Sequence, residues 1–285
     1  MKWNNNFVSF LTNRDLKSDI TECTDIKKMK LSVSVPAKKM GRVLLIEPHS
    51  DDLVLSMGGS ILQLVKNGLD IVCLCVFSNG GQLEKARKDE GRYVWRELLG
   101  GRLLFGELTD YAYRKEKGIA EMHAYRECVS IVQRTMSEFK PDFLIGPMGI
   151  GEHMDHVLIN NALVNVAKRN CAKIFFYEDF PYVNRDKYYY MKALNRVKSQ
   201  YDISPLYNPI TEQIGDKAKL NMVYQSQYQL VWEEVMDLFK NYGKAIRYEG
   251  IYMKKSLDLF GLYERLWFHT ADYDNFSILF PNGVY

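Results

Sequence analysis

Arg42-Val43-Leu44-Leu45-Ile46-Glu47-Pro48-His49-Ser50-Asp51-Asp52 is the stretch from which the fold can be read. Its apolar run, Val43 to Ile46, lacks the alternation of a half-buried strand. It predicts a strand buried on both faces, as in a parallel sheet. Asp51 and Asp52 then open a helical pattern with apolar residues at Leu53, Leu55, Met57, Ile61, Leu62 and Val65, stopping near Asn67-Gly68. Working outward, Ile71 to Phe77, Leu103-Leu104-Phe105, Phe143-Leu144-Ile145 and Ile174 to Tyr177 are further strand candidates. Residues 83–99, 120–139 and 156–169 carry helical patterns between them. Strands alternating with helices predict βαβ units, hence an α/β, Rossmann-like, mostly parallel sheet flanked by helices. Residues 211–245 read as helical, with Trp232, Val235, Leu238 and Phe239 as a core stripe, so a helical C-terminal portion is expected. Residues 1–40 are weakly patterned, with Val33, Val35 and Pro36 as a candidate edge element. The expected organisation is an N-terminal extension, 1–40, followed by one domain, 41–285.

The bulk properties exclude several classes. Hydrophobic residues at 47% and charged residues at 26% rule out wholesale disorder. A net charge of +3 with no long Lys/Arg run disfavours a nucleic-acid partner. No segment approaches the ~20 apolar residues of a membrane span, and the N-terminus lacks the apolar stretch of a signal peptide. The five cysteines, an odd number without a CxxC, argue against a disulfide framework. Cys73 and Cys75 are expected to share one buried face of a strand. A reduced, cytoplasmic protein is the expectation. The 19 tyrosines suit sugar faces, or simply fill core and rim.

Ligands of such folds sit outside the carboxyl ends of the strands. His49, Asp51 and Asp52 lie at one of these ends. His49 and Asp52 are three apart, so a turn entering a helix aims both at one point, as zinc ligation requires. Asp51 would then stand beside them as a free carboxylate, what a general base needs. The competing reading makes one aspartate an N-cap, which leaves His49 unexplained. After the fourth strand comes Gly149-Ile150-Gly151-Glu152-His153-Met154-Asp155-His156. Three of the chain's five histidines fall in these two motifs; His123 and His269 lack comparable surroundings. Either His153 or His156 completes a metal triad, leaving the other to polarise a carbonyl or protonate an amine. Asp155 is placed to orient one imidazole. The two motifs together predict a zinc site of two histidines and one carboxylate. A nucleotide-binding enzyme fits poorly, because no GxGxxG follows the first strand and its acids would meet phosphate.

His49-Ser50-Asp51-Asp52 and His153-Met154-Asp155-His156 resemble the His-Pro-Asp-Asp and His-x-Asp-His motifs of the LmbE-like, or PIG-L, deacetylases. The resemblance implies Zn2+ on His49, Asp52 and His156, Asp51 as general base, and His153 assisting the oxyanion or leaving group. Arg87-Lys88-Asp89-Glu90 with Leu99-Gly100 is similar to a family helix, which implies Arg87 as a substrate ligand; the alternative is a solvated charge. Asp110 stands where the family holds a sugar hydroxyl. Tyr177-Glu178-Asp179-Phe180-Pro181-Tyr182 resembles a substrate loop, with Tyr182 as its contact. Tyr224-Gln225-Ser226-Gln227 and Glu264-Arg265-Leu266-Trp267 resemble C-terminal features, so the likeness runs over about residues 42–268 and makes 41–285 an LmbE-like domain. Ser50 and Leu53 depart from the family's Pro and Glu. The implied substrate is an N-acetylated amino-sugar conjugate, N-acetylglucosamine in type, with antibiotic biosynthesis (aminoglycoside or glycopeptide) as an expected setting. The alternatives are a zinc amidohydrolase on a non-sugar amide and a non-catalytic sugar-binding module.

Overall fold

The computed structural model describes residues 30–32, 41–170, 172–184, 186–227, 232–253 and 255–285. The expected edge element at Val33, Val35 and Pro36 lies outside them. Of the N-terminal extension, Lys30 to Ser32 is described. Ser32 N donates to Asp216 Oδ2 at 2.7 Å, and Leu31 packs against the core.

The continuous apolar runs become strands β1 (Arg42–Glu47), β2 (Asp70–Cys75), β3 (Arg102–Phe105), β4 (Phe143–Pro147) and β5 (Lys173–Tyr177). They are all parallel, in the order β3-β2-β1-β4-β5. Between them run α1 (Asp52–Lys66), α2 (Glu84–Arg92), the short α3 (Tyr111–Arg114), α4 (Glu121–Phe139) and α5 (Met154–Asn170). The 83–99 pattern holds α2 and, continuing it, a π-helical segment Tyr93–Leu98. Side chains along β1 alternate between layers: Val43 and Leu45 face one core with α1, Leu44 and Ile46 the other with α4 and α5. Cys73 and Cys75 share the first face, as their spacing predicts.

The C-terminal portion is helical, with α6 (Lys187–Lys198), α7 (Ile214–Met222), α8 (Trp232–Tyr252) and α9 (Tyr273–Leu279). It also extends the sheet with two strands the sequence reading did not identify, β6 (Ile203–Pro209) and β7 (Tyr263–His269). They complete a seven-stranded sheet, β3-β2-β1-β4-β5-β7-β6, in which β7 pairs antiparallel with both neighbours. No helix among the described residues is long and apolar enough to cross a membrane.

One irregularity ties the tail to the site. Helix α1 kinks at Met57, whose φ of −129° and ψ of 29° are not helical. A second helical start therefore follows, and Glu264 of β7 accepts from Gly59 N at 3.0 Å and Ser60 N at 2.7 Å. Lys217 of α7 pairs with the same carboxylate at 2.7 Å. Gly59 has no room for a side chain, since a Cβ there would stand 2.7 Å from Ile210.

Candidate functional site

The strand order reverses at β1, whose neighbours β2 and β4 lie on opposite sides. Crevices form at such switch points, beyond the carboxyl ends of the strands. Both histidine motifs arrive there, one after β1 and one after β4.

The turn after β1 is closed by Asp52. Its Oδ2 accepts from His49 N at 2.9 Å and faces His49 Nδ1 at 3.1 Å. Asp51 occupies the N-cap position of α1, yet its side chain makes no capping bond. The N-cap reading therefore does not account for either aspartate. After β4, Gly149 and Gly151 take left-handed φ of 76° and 84°, and Glu152 follows at 57°. This reversal turns His153 and His156 back over the strand ends.

His49, Asp52 and His156 offer donor atoms that all lie within 4.8 Å of one another. His156 Nε2 is buried and makes no hydrogen bond, although Asp52 Oδ2 is 3.4 Å away. Each imidazole is held from behind by a carboxylate. Asp179 Oδ1 meets His156 Nδ1 at 2.6 Å, and Asp155 Oδ2 meets His49 Nε2 at 3.0 Å. Carboxylates so placed fix a ligand's tautomer and ring orientation. The donor set fits zinc: two imidazoles and one carboxylate, with a buried unpaired nitrogen turned inward. His49, His153 and Asp155 are also mutually close. That second grouping fits less well, because Asp155 is already bound at Oδ1 by Arg114 (2.5 Å) and at Oδ2 by Tyr111 N (3.0 Å).

The titrating groups divide by surroundings. Burial, then the neighbouring Asp52 charge, pushes the Asp51 carboxyl up to about 6. Asp52 is held well below the usual carboxylate range: burial opposes this, but the His156 and His49 charges and hydrogen bonds outweigh it. Burial and then the His156 and His49 charges lower His153 to about 4, so it is neutral near pH 7. Its ring centroid lies 5.2 Å from those of both His49 and His156.

The three expected substrate contacts all reach the rim. Arg87 projects from α2, its Nη1 3.8 Å from Asp110 Oδ2, with its Nε buried and unbonded. Asp110 is partly committed as the cap of α3, accepting from Ala112 N at 2.9 Å; its other oxygen lies 3.5 Å from His49 Nε2. Tyr182 follows the cis Phe180-Pro181 bond and presents its ring 5.2 Å from that of His156. Two expected family segments brace this rim. Ser226 binds the Glu90 carboxylate through both N and Oγ. Glu178 accepts from Arg265 Nε at 2.6 Å and Trp267 Nε1 at 2.9 Å.

The sequence reading assigned no role to Asp179, Arg114 or Tyr111, all in direct contact with the site. Asp179 lies inside the loop singled out at Tyr177 to Tyr182, so the motif marked its neighbourhood. Arg114 heads an Arg-Lys-Glu-Lys run that looks like a solvated face, and only its pairing with Asp155 distinguishes it.

Residues 44–167 match the family model described as "PIG-L: GlcNAc-PI de-N-acetylase". The 2'-N-acetylparomamine deacetylase of Streptomyces fradiae is 29% identical over 167 residues, 52% of this chain and 60% of that protein. The diacetylchitobiose deacetylase of Thermococcus kodakarensis is 37% identical over 105 residues, 32% of this chain and 39% of that one. The chain thus spans less than two thirds of the length of either curated relative. Among solved structures, teicoplanin deacetylase in its zinc-inhibited form superposes with a TM-score of 0.65 at 18% identity, covering 80% of this chain and 97% of that one. The 4-carboxy-2-hydroxymuconate hydratase of Pseudomonas putida superposes at 0.51 and 16% identity, covering 81% and 96%. These structures share the fold, and a fold that carries both chemistries leaves function to the site. Both sequence motifs lie inside the segment, residues 44–167, that matches the PIG-L (LmbE-like) family model, and their side chains converge at the strand ends.

Proposed function

We propose that the protein is a zinc-dependent N-deacetylase that hydrolyses the acetamide of an N-acetylated amino-sugar conjugate to a free amine and acetate. The observation that carries this reading is the convergence of His49, Asp52 and the unbonded His156 Nε2, with Asp51 alongside and uncommitted to a cap. A zinc ion on those three residues supplies Lewis-acid polarisation of the amide carbonyl and lowers the pKa of water.

The remaining chemistry belongs to the chain. Asp51, with its carboxyl raised to about 6, accepts the proton that water loses on attacking the acetyl carbon. His153 stays neutral and donates an N–H toward the carbonyl oxygen as negative charge develops there. The proton held by Asp51 passes to the amine nitrogen as the C–N bond breaks, which balances the hydrolysis. Arg87 and Asp110 hold polar groups of the sugar, and the Tyr182 ring lies against its apolar face. The names of the curated relatives, acting on N-acetylparomamine and diacetylchitobiose, favour an amino sugar. An aminoglycoside-type or glycopeptide-type conjugate, hence an antibiotic pathway, is the corresponding setting.

The test is acetate release from a panel of N-acetylglucosamine conjugates, with zinc-loaded protein beside a chelated control. Metal-dependent release supports the reading. Zinc-loaded protein that releases acetate only from non-sugar amides overturns the substrate class. Asp51→Asn is expected to keep the metal and lose about 10²–10⁴-fold in turnover. Near-normal turnover in that variant refutes the base assignment.

A further inference from the structure

Arg114 is 1% exposed and sits outside the residues so far given a role. It is the last residue of α3, the single turn that also brings Asp110 and Tyr111 to the rim. Its guanidinium uses both ends. On one side Nε and Nη2 form a fork onto the two oxygens of Glu121, at 3.0 and 2.8 Å. On the other, Nη1 reaches Asp155 Oδ1 at 2.5 Å and Thr109 O at 3.0 Å. Its plane is packed between rings, with Phe77 at 5.0 Å and Tyr111 at 5.2 Å. Asp155 is wholly buried, and its second oxygen holds His49 Nε2. The chain Glu121–Arg114–Asp155–His49 thus runs without a break from the start of α4 to the candidate metal centre.

This arrangement does something a packing role does not require. A carboxylate can rotate about its Cβ–Cγ bond and accept from any donor in reach. With Oδ1 taken by a guanidinium that is itself clamped, Asp155 presents Oδ2 to His49 in one orientation. His49 must then carry its proton on Nε2 and turn Nδ1 toward Asp52. Arg114 also balances the charge of a carboxylate that could not remain ionised alone at that depth.

We infer that Arg114, anchored by Glu121, is a positioning residue for the metal centre: it fixes Asp155, and through it the tautomer and aim of His49. This rests on the proposed reading of His49, Asp52 and His156 as metal ligands. Arginine is required for its geometry, because a lysine at this position cannot fork onto Glu121 and reach Asp155 together.

The experiment measures zinc affinity of the full chain by competition with a chromophoric chelator, for wild type, Arg114→Met, Arg114→Lys, Asp155→Asn and the Arg114→Met/Asp155→Asn double variant. Folding is checked by circular dichroism. Loss of a partner behind a ligand typically weakens metal binding about 10–100-fold. Arg114→Met and Arg114→Lys are expected to fall in that range, and the double variant to bind no more weakly than Asp155→Asn alone, because the two act in series. Folded Arg114 variants that bind zinc as tightly as wild type overturn the inference. So does a double variant in which the two losses multiply, since a purely structural residue would act independently of Asp155. If the Arg114 variants do not fold, Glu121→Gln decides, because Glu121 is 38% exposed and its loss leaves Arg114 in place. A weakening of about threefold or more supports the inference, and unchanged affinity overturns it. Wild-type protein that binds no zinc overturns the metal centre itself, whereas a tight wild type with unaffected variants removes Arg114 alone.

Discussion

Replacing Asp179 by asparagine tests whether the carboxylate behind His156 sets its tautomer. Asp179 is fully buried and accepts three hydrogen bonds: Oδ2 from Gly149 N at 2.7 Å and Ile150 N at 2.9 Å, Oδ1 from His156 Nδ1 at 2.6 Å. An asparagine has the same shape but only one accepting atom. If its oxygen keeps the two backbone amides, its NH2 meets His156 Nδ1, which must then accept. The imidazole proton moves to Nε2, the nitrogen turned toward Asp52, and blocks ligation. If the amide flips, Nδ1–H is satisfied but two backbone N–H groups face an NH2. Either way the variant loses. The first arrangement is the cheaper, because it breaks no backbone contact. It exchanges charge-assisted bonds of about 1.5–3 kcal/mol for neutral ones of about 0.5–1.5, a cost of roughly 1–3 kcal/mol in fold stability. Zinc affinity should fall about 10–100-fold, equivalent to about 1.4–2.8 kcal/mol. The assays are urea unfolding of the metal-free protein and zinc competition on the same preparation. Unchanged zinc affinity in a folded Asp179→Asn variant would refute the argument, because the tautomer would then not depend on Asp179.

Three further outcomes follow from the same geometry. Lys217 and Glu264 are both essentially unexposed, so Lys217→Met strands a buried carboxylate; urea unfolding should show a loss of about 3–5 kcal/mol, and a loss under 1 would show that Ser60 and the Gly59 amide suffice. Gly151→Ala adds a Cβ 2.6 Å from Tyr182 at a φ of 84°; about 1–3 kcal/mol of strain and a displaced Tyr182 should appear as a raised KM, and an unchanged KM would detach Tyr182 from substrate binding. Burial raises the Glu90 carboxyl above its ordinary 4.5, with the Ser226 bonds opposing. A carboxyl whose folded value exceeds its unfolded one binds more protons when folded, so it costs stability as pH rises through the interval between them. Glu90→Gln should therefore flatten the fall in stability just above that ordinary value, and parallel profiles for the two proteins would count against it.

What the sequence disclosed, and what it hid, divides by how far each residue's partners lie along the chain. β1, β2, β4 and β5 are buried on both faces, so their apolar runs are continuous and legible. His49 and Asp52 are legible because one turn holds them together. β6 escaped because Pro205 and Pro209 interrupt it; as the last strand of the sheet it tolerates residues that cannot donate. β7 escaped because Glu264 and Arg265 resemble surface charges. They are buried on opposite sides of the strand, Glu264 against Ser60 and Lys217, Arg265 against Glu178, and no local pattern records such partners. Tyr182 was marked by its loop, whereas Asp179 and Glu178 beside it look alike in sequence. One orients a candidate ligand and the other clamps β7.

The charges around the switch point show why the chain needs those distant partners. Asp155 is answered by Arg114, Asp110 is approached by Arg87, and Asp179 is held by two backbone amides as well as His156. Asp155 and Asp179 are thereby committed, and Asp110 is partly so. Asp52 differs, because its Oδ2 faces the imidazoles of His49 and His156 and accepts a single backbone N–H. That leaves one carboxylate and two oriented imidazoles as the donors facing a common point, the set that zinc prefers. Asp51 is next in the chain and makes no capping bond; burial and then the Asp52 charge raise its proton affinity beside the candidate ligands. The donors that the candidate centre presents thus depend on the residues that neutralise its neighbouring acids, Arg114 on its four-residue helix among them.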